Sequence, residues 1–155
     1  MDVVLIDWAQ SAVPFDQVKD FKSETCNLDR KGFYVILSGT KTAKGWVKPR
    51  LLHVGQAFDQ TLRERIPQER KEYQCVYSYQ EAHAGAPIWV MIGFIKESTA
   101  ERVNQQLFDE IECCLIFSNQ PMCNTACKDS YSGRDLEVIN VGHYEPLEER
   151  CTCLV

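Results

Sequence analysis

The chain has 155 residues, of which 45% are hydrophobic and 25% are charged; this is the composition of one globular domain and excludes a disordered chain. The longest apolar run, Ile88–Ile95, is far shorter than the about 20 residues that a membrane-spanning helix needs. With 17 basic and 22 acidic residues the net charge is −5, so binding of nucleic acid would need a local basic cluster.

Residues 1–31 are predicted to be a lead-in to the domain, with a short helix around Asp16–Phe21. β-branched and aromatic residues then favour a strand at 32–37 and a second at 50–54, stopped by Gly55. The two strands are expected to pair as a hairpin with a long basic loop. Basic residues in and after this loop are predicted to contact phosphate, namely Lys41, Lys44, Lys48, Arg50 and Arg63.

The middle of the chain is predicted to contain a short helix and two more strands. Asp59 is the expected N-cap of the helix, which carries Leu62 and Ile66 at positions i and i+4 and ends at Pro67. Aromatic and β-branched residues predict a strand at 73–79. The apolar run at 88–95 predicts a buried strand.

The last third is predicted to hold a long helix and a late edge strand. Residues 98–101 have the spacing of a capping box, so the helix is expected to start at Thr99 and run to about Ser118. Leu136–Ile139 would be the edge strand. The fold class is therefore α/β, a small mixed layered fold with a central three- to four-stranded, mainly antiparallel sheet flanked by helices. Residues 1–155 form a single domain, with a core at about 32–124 and a C-terminal extension at 125–155.

Glu112 is the most informative acidic residue of the long helix. Its helical neighbours are Phe108, Leu115 and Ile116, whereas Glu110 is expected to face more polar company. A carboxylate among apolar side chains is costly unless something pairs with it, and a metal cation would serve as that partner. The alternative is that Glu112 lies at the edge of the apolar face with its tip in water.

The eight cysteines are predicted to be free thiols in a reducing cytosol, so the expected location is cytoplasmic. The spacing of the last four also allows them to converge on zinc, and a zinc or redox module is therefore a third functional class. These four are Cys123, Cys127, Cys151 and Cys153.

Four segments, in order, resemble the motifs of the GIY-YIG nuclease superfamily. Gly32-Phe33-Tyr34 matches the GIY element, and His53-Val54-Gly55 falls where the YIG element closes the next strand. Residues 62–66 resemble the following L-x-x-R-[LI] helix. Glu112 to Ile116, then Pro121 and Asn124, resemble the E-x-x-L-I and P-x-x-N segment.

The resemblance implies a metal-dependent endonuclease that hydrolyses DNA phosphodiester bonds. Glu112 would hold a single Mg²⁺ or Mn²⁺, and Arg65 would stabilise negative charge on the phosphate. Tyr34 would activate or orient the attacking water, and Asn124 would support the site. His53 stands in place of the second motif tyrosine, where histidine can shuttle protons near neutral pH.

Three departures from the family pattern favour an alternative, a weakened GIY-YIG domain that binds nucleic acid or protein without cutting. They are His53, then Gln56 where many members have lysine, and Glu69 where some members have histidine. Either Arg63 or Arg65 could be the arginine of the motif. Arg63 lies at the family's usual distance from Gly55, whereas Arg65 fits the L-x-x-R-[LI] pattern of residues 62–66. No second DNA-binding domain is recognisable, so specificity would come from the basic loop or a protein partner.

Overall fold

The computed structural model describes residues 1–155, which form seven strands and three α-helices. The strands are β1 (Asp2–Trp8), β2 (Val13–Pro14), β3 (Gly32–Thr42), β4 (Gly45–Ala57), β5 (Ile88–Ser98), β6 (Leu136–Gly142) and β7 (Arg150–Cys153). The helices are α1 (Leu62–Arg65), α2 (Tyr73–Ala82) and α3 (Gln105–Asn119). A 3-10 turn at Phe15–Gln17 replaces the short helix predicted near Asp16.

All seven strands join one sheet, in the order β4-β3-β5-β1-β6-β7 with β2 paired to β5. The β1–β6 pair is parallel and the other pairs are antiparallel. The predicted mixed α/β class is confirmed. The predicted size of three to four strands is wrong, because both ends of the chain add strands to the sheet.

The first strand, β1, lies near the middle of the sheet between β5 and β6. Its side chains alternate, with Val4, Ile6 and Trp8 buried and Asp7 exposed, as expected for a strand with one face on the core. The residues predicted to be a lead-in therefore contribute part of the central sheet. The predicted late strand also exists as β6, but it is flanked by β1 and β7 and is not at the edge.

The predicted hairpin is present as β3 and β4, with Tyr34 opposite Gly55 and Ile36 opposite His53. The expected long basic loop is absent, because both strands continue to a two-residue turn between Thr42 and Gly45. β4 forms an edge of the sheet.

The helices begin at different residues from those predicted. Thr61, and not Asp59, caps α1, and its hydroxyl and the Glu64 carboxylate form a capping box. Asn104 caps α3 through a 3.0 Å hydrogen bond to the Leu107 amide. Thr99 does not start that helix, because it is bound to β1: its hydroxyl accepts a 2.8 Å hydrogen bond from the Val3 amide, and its own amide donates a 3.0 Å hydrogen bond to the Val3 carbonyl.

The prediction of a strand at 73–79 is wrong, because this segment forms helix α2. Its aromatic residues favour a strand, but Tyr73 and Val76 are three positions apart and both are buried against the sheet. Helices α1 and α2 cover the sheet face that carries Tyr34 and Ile36. Helix α3 covers the opposite face, which carries Phe33 and Val35.

The prediction of free thiols is wrong for six of the eight cysteines, which form three disulfides. The pairs are Cys75–Cys123, Cys113–Cys127 and Cys114–Cys153, while Cys26 and Cys151 remain free and buried. The proposed zinc convergence is also wrong. Three of the four late cysteines form disulfides with three different partners, and no group of three or more His, Cys, Asp or Glu is arranged to hold a metal ion. None of the helices has the length and apolar character required to cross a membrane.

Candidate active site

Tyr34 lies at the centre of the predicted site and is completely buried. Its ring crosses β4 over Gly55, where a β-carbon would overlap the phenol ring, so this position needs glycine. The Tyr34 hydroxyl accepts a 3.0 Å hydrogen bond from Nη1 of Arg70 and lies 3.4 Å from the Tyr73 hydroxyl. Tyr73 donates its own proton to the Ile66 carbonyl at 2.8 Å, so Tyr34 is left to donate to Tyr73.

His53 lies beside Tyr34 on the same face of the hairpin and is 1% exposed. Its ring is 5.8 Å from that of Tyr34 and 5.7 Å from that of Tyr73, and neither ring nitrogen has a hydrogen-bond partner. Burial and the nearby charges of Arg70 and Arg65 lower the pKa of His53 to about 3. The imidazole is therefore neutral at physiological pH and does not gain or lose a proton there.

Glu112 projects from the flank of α3 that faces β4. Asp109, one turn earlier on that flank, accepts a 2.7 Å hydrogen bond from Gln56 of β4. Burial raises the pKa of Glu112 to about 7, with Arg70 and Arg65 acting to lower it and Asp109 and Glu72 acting to raise it. No hydrogen bond contributes, so Glu112 is a partly buried carboxylate within electrostatic range of two arginines.

Glu110, which was expected to face more polar company than Glu112, is nearly buried and lies against a charged partner. Two residues along a helix correspond to about 200° of rotation, so Glu110 and Glu112 point to nearly opposite flanks. Glu110 is 7% exposed and forms a 3.1 Å ion pair with Arg134, which also reaches Asp2 at 3.3 Å. Arg134 lies two residues before β6, so this ion pair links α3 to β6 and, through Asp2, to β1; Glu110 is therefore paired, unlike Glu112.

The segment after α3 connects the two faces of the sheet around the edge of β4. Asn124 accepts a 2.9 Å hydrogen bond from the Val54 amide and donates a 3.0 Å hydrogen bond to the Val54 carbonyl. The Thr125 amide donates a 3.1 Å hydrogen bond to Glu72 at the start of α2. Asn124 thus fixes the β4 backbone next to Gly55 and does not face an open site.

An open cleft of about 690 Å³ lies next to this segment. Its cationic lining residues are Arg65, Arg70 and Lys71, and Glu69 and Glu72 supply acids. Arg65 donates a 3.0 Å hydrogen bond to Gln68 and does not contact Tyr34. Arg70 lines the cleft and also binds Tyr34, so it separates the buried phenol from the open space.

Arg63 and the hairpin lysines, which were predicted to contact phosphate, do not line this cleft. Arg63 donates to Asp29 at 2.6 Å and to three carbonyls of residues 18–21, so it fixes the N-terminal segment and is not free for phosphate. Lys41, Lys44 and Lys48 are exposed at the hairpin tip. Seven residues of strand at about 3.4 Å each place Lys41 about 24 Å from Tyr34 along β3, so the tip is not beside the predicted site.

The most important residue that sequence reasoning did not place in the site is Arg70. The resemblance to the GIY-YIG motifs directs attention to Arg63 and Arg65, while Arg70 follows Pro67 in a stretch that resembles no motif. The only available signal was the local density of basic residues at 63–71. Tyr73 was missed because its segment was predicted to be a strand.

Comparison of the chain with models of known protein families, with curated proteins and with solved structures finds no match.

Proposed function

We propose that this chain is a metal-dependent endonuclease of the GIY-YIG type, which hydrolyses DNA phosphodiester bonds at the edge of β4. The observation that carries the proposal is the position of Glu112, an unpaired, partly buried carboxylate within electrostatic range of Arg70, which holds Tyr34. Buried acids without a partner are costly, and they concentrate at functional sites. The four motifs in order agree with this assignment.

The residues present fit one hard divalent cation and no more. Glu112 accepts no hydrogen bond that a metal would have to displace, and the absence of a cluster of three ligands argues against a closed protein cage. Mg²⁺ is commonly held by one or two carboxylates, with waters and substrate phosphate completing its shell. A bound Mg²⁺ or Mn²⁺ would supply a Lewis acid for the phosphoryl oxygens and the leaving group.

The protein side chains would bind the phosphate, stabilise its developing charge and orient the attacking water. Lys71, Arg65 and Arg70 line the cleft and would attract the phosphate. Arg70 would then move from the Tyr34 hydroxyl to a phosphate oxygen and stabilise the charge that develops there. Tyr34, released from Arg70, would orient the attacking water, while Tyr73 fixes the direction of its hydroxyl proton.

A second candidate function is a nucleic-acid binding domain without cleavage. The burial of Tyr34 and His53 favours it, because neither side chain reaches solvent unless Arg70 moves. In that case the basic cleft would bind phosphate and the buried aromatic cluster would only support it.

The two functions are separated by incubating supercoiled plasmid with the protein in Mg²⁺, in Mn²⁺ and in EDTA. The nuclease proposal predicts nicked product with either metal and none with EDTA. Equal nicking in EDTA would contradict a metal-dependent mechanism. Retention of plasmid on the protein without nicking, on supercoiled, linear and branched DNA alike, would favour the binding domain.

A further inference from the structure

The distribution of charge along the chain is uneven around the β3–β4 hairpin. Residues 30–58 contain six basic residues and no acidic residue, in a chain whose net charge is −5. Four of the six, Lys41, Lys44, Lys48 and Arg50, lie at the exposed tip. None of the four takes part in an ion pair, because the ion pairs of the structure involve Arg63, Arg134 and Arg150. The tip is therefore a locally positive surface with unused cations.

A groove of about 380 Å³ lies between the hairpin tip and the turn after β6. On one side it is lined by Lys41, Lys44 and Trp46, and on the other by His143 and Tyr144. One acid, Glu145, also lines it. The groove is on the α3 side of the sheet, because Trp46 and Tyr144 pack against the core cluster beneath α3.

Trp46 is held as a platform in this groove. The Trp89 ring contacts it edge to face, with centroids 6.0 Å apart and planes at 63°. The ammonium of Lys41 lies 4.9 Å from the centre of the Trp46 ring, so a cation already occupies the position above that face. An aromatic face packed at its edge beside exposed lysines is a combination that can bind unpaired nucleotides, by stacking on the base and neutralising the adjacent phosphates.

We propose that this groove binds a single strand of nucleic acid, with one base stacked on Trp46 in place of the Lys41 ammonium and the flanking phosphates on Lys41 and Lys44. Single-stranded substrate is favoured over duplex because paired bases cannot present a face to Trp46. The groove is about 24 Å along β3 from Tyr34, so it is separate from the proposed cleavage site. Binding there does not depend on Glu112 or on cleavage.

The test is the affinity of a fluorescent oligothymidine and of a blunt duplex of equal length, measured by anisotropy over a range of salt concentrations. The wild type should bind the single strand more tightly than the duplex. The double variant Lys41→Ala/Lys44→Ala should bind it at least about fivefold more weakly, and its salt slope should fall by about 1.4, or about 0.7 for each lost phosphate contact.

The matched control is Lys19→Ala/Lys22→Ala, which removes the same charge from exposed positions away from the groove. It should leave both the affinity and the salt slope unchanged. Trp46→Leu should weaken single-strand binding at least about fivefold, and Trp46→Phe should retain most of it, since a ring still stacks. Circular dichroism confirms that each variant is folded.

Three results would overturn the proposal: no binding of the single strand, tighter binding of the duplex, or equal loss in the groove and control variants. Competition by inorganic phosphate as effective as that by a mononucleotide would also overturn it, because the base would then contribute nothing. Strand binding is measured in EDTA, where the proposed nuclease cannot cut, so failure of the nuclease proposal leaves this one intact.

Discussion

Arg70 is the side chain on which the proposed chemistry depends. Its Nη1 lies 3.0 Å from the Tyr34 hydroxyl, and its charge acts on both Glu112 and His53. Arg65, which the L-x-x-R-[LI] motif favours, donates a hydrogen bond to Gln68 in the open cleft. It lowers the pKa of Glu112 less than Arg70 does. The two arginines are therefore expected to differ in their effects on cleavage.

Arg70→Gln should slow single-turnover DNA nicking by about a hundredfold or more, the usual cost of removing one donor aimed at developing charge. Arg65→Gln should slow it by less than about tenfold, as expected for a residue that only assists phosphate binding. Arg70→Gln should also raise the pKa of Glu112, because an attracting cation is removed. Equal losses for the two variants would show that Arg70 has no special role.

His53 makes a prediction about stability that is independent of activity. Its pKa is lowered from 6.5 to about 3 in the folded protein, so below pH 6.5 the unfolded chain binds a proton that the folded chain does not. Stability is thus fully present above pH 6.5 and is lost as the pH falls toward 3, by up to about 1.4 kcal/mol per pH unit. His53→Phe removes this proton and both unpaired nitrogens.

Urea unfolding of wild type and His53→Phe at several pH values checks this point. The stability difference between the two should change with pH in favour of the variant as the pH falls below 6.5. A difference that does not vary between pH 4 and 7 would mean that His53 binds a proton as readily in the folded protein as in the unfolded chain.

At the scale of elements, the segment from Met122 to Cys127 holds the site together. Its amides donate to the carbonyls of Leu51 and Leu52 at the edge of β4, at 3.1 and 2.7 Å. One disulfide ties it to α2 through Cys75 and another ties it to α3 through Cys113. This segment thus joins the helix that carries Glu112 to the helices that cover Tyr34.

Removing the Cys75–Cys123 bond should loosen this segment specifically. The bond closes a loop of 48 residues. The Cys114–Cys153 bond, which ties α3 to β7 and does not involve this segment, closes a loop of 39 residues. Chain entropy assigns each about 4 kcal/mol, so both double alanine variants should lose similar stability to unfolding. Only Cys75→Ala/Cys123→Ala should speed amide exchange at residues 122–125 and lower the nicking rate. Equal exchange in both variants would show that the bond has no local role.

Strong local patterns predicted the hairpin, the buried strand β5 and the long helix, because residues 32–37 and 88–95 carry the apolar and β-branched signals that packing then uses. The strand predicted at 73–79 failed because tertiary packing of Tyr73 and Val76 outweighed the strand preference of the aromatic residues. Asn104 was missed as a cap because its partner, the Leu107 amide, lies beyond the capping box that Ser98 suggested.

The candidate site was predictable only where a motif marks it. Tyr34, His53 and Asn124 were singled out by their motifs, and they lie next to one another on or beside β4; their roles stay predictions. The pairing of Glu110 with Arg134 joins residues far apart in the chain, and no local pattern indicates it. The Arg70–Tyr34 hydrogen bond and the disulfides also join residues that are far apart in the chain, so they depend on how separate elements pack.

At the scale of the whole molecule, the sheet divides the chain into two layers. α3 packs on the face opposite to Tyr34, yet the charge of Arg70, which binds Tyr34, still acts on Glu112. The account therefore makes Glu112 the one acid of α3 required for cleavage. Asp109 is the matched control, because it is exposed, carries the same charge and lies one turn away on the same flank.

The most direct measurement is the single-turnover rate of plasmid nicking in Mg²⁺ for wild type, Glu112→Gln and Asp109→Asn. The account predicts that Glu112→Gln loses nicking by several kcal/mol of transition-state stabilisation, on the order of a thousandfold, while its fold remains intact. Asp109→Asn should nick within about threefold of wild type, the range expected for an exposed surface charge. Full activity of Glu112→Gln, or equal losses in the two variants, would contradict the central claim.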